Sequence, residues 1–157
     1  MNRWYKAKVI KGNQLGQKLG YPTLNLDHPE ILEDQKKGVY LVQLKISNHI
    51  YFGLLYFGPR LIIKDRKDVI EIHVFDFHKN IYGHSIEFNL ISYLREVVAF
   101  NSPDDFRKQL SIDTKKAYAL IEKSRILLTI ATLGQVNVFI KHFLGSHKSQ
   151  SFPRSVV

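Results

Sequence analysis

The sequence predicts a mainly β fold: a six-stranded antiparallel barrel of Greek-key type, closed on itself and followed by C-terminal helices. Two observations predict it. From Tyr5 to Leu94, short alternating segments recur with turn signals between them, the pattern of a closed antiparallel barrel. After Ser102 the apolar period changes from that of a strand to that of a helix.

Each element has its own signal. Tyr5–Lys11 is a short strand. In Gly38–Ile46 the residues Tyr40, Val42, Leu44 and Ile46 share one face. Ser47-Asn48 is a turn, and His49–Phe57 returns as the partner strand of a hairpin. Val69–Phe77 is rich in β-branched and aromatic residues. Asn80–Gly83 marks a turn, and Ser85–Leu94 alternates again with Ile86, Phe88, Leu90 and Leu94 on one side. Ser102 as N-cap, Pro103 at the first helical position and Asp104 and Asp105 in the first turn start a helix. Asp113-Thr114 reads as a second start, leading Ala117, Leu120, Ile121 and Leu128 toward Leu133, with Gly134 as the stop. Val136, Phe139, Ile140, Phe143 and Leu144 then predict a short amphipathic helix. The division expected is a barrel with its closing helix over 1–133, then an extra helix and a disordered basic tail over 134–157.

A chain of 157 residues has room for one domain with a real core. It contains no cysteine, which excludes disulfides, thiolate metal sites and a cysteine nucleophile. No apolar run approaches the ~20 residues of a membrane span, and the N-terminus lacks the apolar stretch of a signal peptide. A cytoplasmic protein without membrane partners is expected. The net charge of +9 points to an anionic partner. Part of that excess sits in the tail, where Lys123, Arg125, Lys141, Lys148 and Arg154 follow the last acid, Glu122.

Two segments carry chemistry. Gly12–Leu26 reads GNQLGQKLGYPTLNL. Taken alone, its glycines describe a flexible loop between strands. Glycines also let backbone N–H groups approach phosphates, and Lys18 adds a point charge. Thr23 and Asn25 lie two apart, so on an extended strand they face the same way. A hydroxyl and an amide oxygen are hard ligands suited to Mg²⁺. The second segment is Val69–Phe77, VIEIHVFDF, where alternation sets Glu71 and His73 opposite Ile70, Ile72 and Val74. Taken alone, Glu71 is a solvated strand residue and His73 a structural one.

Together the two segments resemble the riboflavin kinase family, in particular the kinase module of bacterial bifunctional riboflavin kinase/FAD synthetases. The glycine-rich loop ending in Pro22-Thr23-Leu24-Asn25 and the Glu71-Ile72-His73 step ending in Asp76-Phe77 carry the resemblance. Gly38-Val39-Tyr40, Tyr82-Gly83 and Leu94-Arg95-Glu96 with Phe100 extend it in the same order, over about residues 6 to 122. It implies an ATP:riboflavin 5′-phosphotransferase that makes FMN and ADP. It implies Glu71 as the base, Thr23 and Asn25 as holders of Mg²⁺, and Gly12, Gly16 and Lys18 with them as nucleotide-binding residues. Arg95 is either a flavin or nucleotide contact or an ion-pair partner of a helix carboxylate. Tyr82 and Phe100 are candidates for a bed under the isoalloxazine ring.

The chain also departs from the family pattern. Gln14, Leu15 and Gln17 stand where the family often has glycine and arginine. In the stretch Gly53–Ile62, Gly58 and Arg60 are kept while the family's asparagine, proline and threonine are not. The His-x-Gly-His signature of the adenylyltransferase partner module is absent. Met1 and the immediate start of the barrel lead to the expectation of a stand-alone kinase or a separated module, monomeric, with riboflavin/FMN and ATP/ADP as partners. Two rival readings remain. One is a nucleic-acid-binding β-barrel, supported by charge and aromatics but lacking Lys/Arg–aromatic interleaving on any one strand, so nucleic acid is not expected. The other is a flavin-binding module without catalysis.

Overall fold

The structure, a computed structural model, describes residues 3–12, 20–59 and 67–145, with 130 and 133–145 as backbone only. The strands are β1 (Trp4–Ile10), β2 (Leu24–Leu26), β3 (Gly38–Ile46), β4 (His49–Pro59), β5 (Asp68–Val74) and β6 (Ser85–Arg95), with a 3₁₀ turn at Pro29–Leu32. They close in the order β1-β2-β5-β4-β3-β6, every pair antiparallel. Strands β3, β4 and β5 form a meander, and β2 lies beside β5, the Greek-key arrangement. The mainly β closed barrel expected from the sequence is therefore the observed fold.

Alternation fills the interior. Val42, Leu44, Leu55, Ile70, Ile72 and Phe88 are all fully buried in one cluster, and each buried side chain of this size contributes about 1.5–3 kcal/mol of hydrophobic stabilisation. On β5 the odd positions face outward: Glu71 and His73 are only partly covered, while Ile70, Ile72 and Val74 enter the core. The strand ends at Val74, short of Phe77, because Asp76 takes a left-handed backbone (φ 55°) and turns the chain. Ser47, also left-handed (φ 53°), makes the tight β3–β4 turn that the sequence predicts. Strand β2 spans only three residues, and alternation over so short a length left no signal to read.

The helical region differs from the expectation of separate helices. One helix, α1, runs over Pro103–Gly145. Its start is as predicted: Asp105 N–H donates to Ser102 Oγ at 3.1 Å. Asp113-Thr114 is not a second start, because the Asp113 carboxylate accepts from Arg95 and Gln109 rather than capping a helix. Gly134 is not a stop; the helical backbone continues through it, as an isolated glycine permits at a cost of about 1 kcal/mol. Two compact units divide α1 at Ala117/Tyr118, the first being Met1–Ala117 with the barrel. In that unit Ala117 is fully buried. In the second, Ser124, Thr129 and Thr132 each donate to the carbonyl four residues back. Among the described residues, no helix is long and apolar enough to cross a membrane. The predicted disordered tail beyond Gly145 lies outside the described residues.

Candidate functional site

Register brings the two motifs together. Strands β2 and β5 pair Leu24 with Ile72, Asn25 with Glu71 and Leu26 with Ile70. Partners in a ladder present their side chains to the same face. Leu24 and Leu26 turn into the core, so Asn25 and Glu71 share the outer face. Thr23, one residue before β2, joins them: its Oγ1 donates to Glu71 Oε2 at 3.4 Å.

Asn25 is buried (6% exposed), yet among the described residues its Oδ1 has no hydrogen-bond donor. A buried amide oxygen without a partner costs about 1–3 kcal/mol unless a ligand satisfies it. Gly12 packs against that amide; a Cβ there would overlap the Asn25 side chain. Glycine at this position is thus required by the close approach. Thr23, by donating its hydrogen to Glu71, keeps its oxygen lone pairs available. These hard oxygens suit Mg²⁺, which takes few protein ligands and keeps water and phosphate oxygens as the rest. The residues present fit that ion.

Thr23 and Asn25 open onto a cleft of about 380 Å³ whose walls include Gly12, Pro22, Phe77, Lys79 and Tyr82. Glu71 adjoins this cleft through Thr23 rather than lining it. The β5–β6 loop reaches the cleft because it is tied to β1: Gly83 N–H donates to the Val9 carbonyl at 2.8 Å, and Val9 N–H to the His84 carbonyl at 2.9 Å. Lys79 and the neighbouring His78 and Asn80 also face the cleft, and motif reasoning did not pick them out. Their only sequence signal is their place just before the Tyr82-Gly83 turn.

On the other side of Glu71 stands its register partner on β4, Tyr56. The Tyr56 hydroxyl donates to the Pro59 carbonyl at 2.6 Å. Burial, then the charges of Glu71 and Asp68, push the phenol up to about 12, against a smaller opposing effect of Arg95. Asp68 itself holds Lys37 at 2.7 Å. His73, one pleat along from Glu71, places Nδ1 at 2.9 Å from the Pro22 carbonyl, with Tyr21 edge-on at 5.4 Å.

Arg95 is held by a helix carboxylate. Its Nε donates to both oxygens of the fully buried Asp113, at 3.1 and 2.9 Å, and a second guanidinium nitrogen lies 2.8 Å from Oδ2. Phe100 lies beneath the Arg95 guanidinium at 5.9 Å and packs on Phe106, whereas Tyr82 borders the cleft with Asn25. Gly16, Lys18, Gln14, Leu15, Gln17 and Arg60 lie outside the described residues.

Hard oxygen donors set against one carboxylate, beside an open cleft, are the equipment of barrels that handle phosphate esters. Comparison with known proteins agrees. A family model described as "Flavokinase: Riboflavin kinase" matches residues 2–121. A bifunctional riboflavin kinase/FMN adenylyltransferase from Haemophilus influenzae is 36% identical over 115 residues, covering 72% of this chain and 37% of that protein. The solved riboflavin kinase from Trypanosoma brucei shares the fold at a TM-score of 0.57 and 18% identity, covering 96% of this chain and 93% of that one. A Streptococcus pneumoniae structure described as a macrolide-efflux protein matches at a TM-score of 0.64 and 25% identity, covering 74% of this chain and 38% of that one. This chain belongs to the riboflavin kinase family. It spans a little over a third (37%) of the length of the bifunctional relative.

Proposed function

We propose that the chain transfers the γ-phosphate of ATP to the ribityl 5′-hydroxyl of riboflavin, giving FMN and ADP. The observation that carries this reading is the meeting of Thr23, Asn25 and Glu71 on one outer face beside the cleft. Family membership supports it.

Mg²⁺, held through Asn25 Oδ1 and Thr23 Oγ1, would supply charge neutralisation at the phosphate oxygens. The chain's own residues do the rest. Gly12 gives the nucleotide a close backbone approach beside Asn25, and Gly16 and Lys18 belong to the same proposed loop. Lys79 adds a positive charge on the cleft wall. Glu71 accepts the ribityl hydroxyl proton and aims that oxygen at the γ-phosphorus. Thr23, bonded to Glu71, couples the base to the nucleotide side of the site. Tyr56, kept neutral by burial and donating to the Pro59 carbonyl, stands beside Glu71 as an uncharged neighbour rather than a competing anion. Arg95, oriented by Asp113, has N–H groups left over for an anionic or flavin contact. The catalytic module is assigned to residues 1–133, with 134–157 outside it; the family match covers residues 2–121, within that module. The enzyme is read as a cytoplasmic monomer.

Mixing the protein with riboflavin and Mg-ATP and separating the flavins by chromatography tests the reading. FMN is the expected product. Flavin retained without FMN would mark a binding module instead.

A further inference from the structure

We propose that His73 is a positioning residue: its imidazole holds the Pro22 carbonyl and thereby sets Thr23 against Glu71. The inference rests on the kinase reading above and extends it to a residue for which the motif supplied no role.

Three observations carry it. First, the β2–β5 ladder stops one residue short of Thr23. Its last pair on this side is Leu24 with Ile72. Among the described residues no backbone bond from β5 fixes the peptide between Pro22 and Thr23, although Thr23 carries one of the proposed site's oxygens. His73, the next residue on β5 after Ile72, provides the missing anchor with its side chain, Nδ1 to Pro22 O at 2.9 Å. The Pro22 carbonyl and the Thr23 N–H share one rigid peptide plane. Holding the first orients the second, and with it the Thr23 Cα–Cβ bond.

Second, the bond that this anchor serves cannot set its own geometry. The Thr23–Glu71 contact is 3.4 Å, long for a hydroxyl–carboxylate bond. Glu71 and His73 lie two apart on the same outer face of β5. One rigid strand thus carries both the base and the anchor, and the spacing between Thr23 and Glu71 follows from it.

Third, the ring is itself fixed. Tyr21 meets it edge-on at 5.4 Å and Phe75 at 6.0 Å. The backbone that carries the ring is close-packed too: a Cβ on Gly53 of β4 would come within 2.5 Å of the His73 carbonyl. A carbonyl only accepts, so Nδ1 carries the hydrogen and the neutral ring is the Nδ1–H tautomer.

Two substitutions separate the donor from the ring. His73→Phe keeps the ring contacts and removes the donor; His73→Asn places an amide N–H near the position of Nδ1. We expect His73→Phe to raise the KM for Mg-ATP roughly five- to tenfold, the loss of one hydrogen bond, with the KM for riboflavin unchanged. His73→Asn should recover most of that loss. Mg-ADP affinity by calorimetry should follow the same order without any turnover. Nitrogen NMR of the wild-type imidazole at alkaline pH should show the Nδ1–H form. A wild-type Nε2–H tautomer would overturn the proposal. So would unchanged Mg-ADP affinity in His73→Phe, equal losses for both substrates, or no recovery in His73→Asn. If the wild type binds Mg-ADP but makes no FMN, and His73→Phe weakens that binding, the kinase reading fails while the anchor stands. A wild type that binds no Mg-ADP sinks both.

Discussion

Thr23 and Glu71 are 48 positions apart in the chain, yet the hydroxyl of one donates to the carboxylate of the other at 3.4 Å. The contact exists because a three-residue strand, β2, is laid beside β5 in a register that pairs Asn25 with Glu71. The proposed ion-holding hydroxyl and the proposed base are therefore parts of one unit, and altering either should be felt by the other.

Glu71→Gln should lower kcat for FMN formation by roughly 100-fold or more, the usual worth of a general base. The fold should survive, because Glu71 lies on the outer face and the core around Ile70 and Ile72 is untouched. Flavin chromatography and a thermal melt of the same protein check the two halves. Turnover near the wild-type rate would remove Glu71 from the mechanism.

Asn25→Leu should weaken Mg²⁺-dependent ATP binding far more than riboflavin binding. Gly12→Ala should do the same from the other side, since its new methyl would displace the Asn25 amide. Titration calorimetry with each ligand distinguishes these outcomes from general damage. Equal losses for both ligands would count against Asn25 as an ion-holding residue.

Asp113→Ala should destabilise the protein by about 3–5 kcal/mol, because it leaves the largely buried Arg95 guanidinium unpaired. Replacing both partners, Arg95→Met with Asp113→Leu, should recover most of that stability, since two apolar side chains bury no lone charge. Urea denaturation of the single and double variants measures the difference. A double variant no better than Asp113→Ala would show that the ion pair is not the source of the loss.

The raised Tyr56 phenol predicts an alkaline weakness. In the unfolded chain tyrosine ionises near 10, whereas folded Tyr56 does so at about 12. Between those values the unfolded state releases a proton that the folded state keeps. Stability from this group is thus complete below about pH 10 and is lost as pH rises toward 12. Tyr56→Phe should flatten this part of the stability–pH curve. Denaturant melts across that range test it, and an unchanged slope would assign the effect to other groups such as Tyr5 and Tyr40, which are also raised by burial.

Much of the barrel was legible because long strands announce themselves. In β3, and in β6 as far as Leu90, the inward residues repeat every second position, and the Ser47-Asn48 turn falls where the period breaks; beyond Leu90 a register shift against β3 sets Tyr93 rather than Leu94 against the core. Strand β2 has no such length, so its existence was visible only through the Thr23 and Asn25 motif. The helix misled for a different reason. Asp113 and Gly134 have the right chemistry for a cap and a stop, but tertiary context overrides local preference: Asp113 is claimed by Arg95 from a distant strand. That Glu71, Thr23 and Asn25 serve one site was implied by family resemblance, but the ladder that pairs Asn25 with Glu71 was not legible, since no local pattern reports the register between strands so far apart. The place of Lys79 on the wall of the cleft that Asn25 also lines was not legible at all, because it depends on the ties between β1 and the β5–β6 loop.

The narrowness of β2 has one more consequence. Every other junction of the barrel is stitched by five or more residue pairs, while β2 is joined to β1 by Val9↔Leu26 and Ile10↔Asn25 and to β5 by three pairs. The cylinder thus has a weak seam, and the seam runs through Asn25. Whatever grips Thr23 and Asn25 also laces the cylinder shut, so occupancy of the cleft and closure of the wall draw on the same free energy.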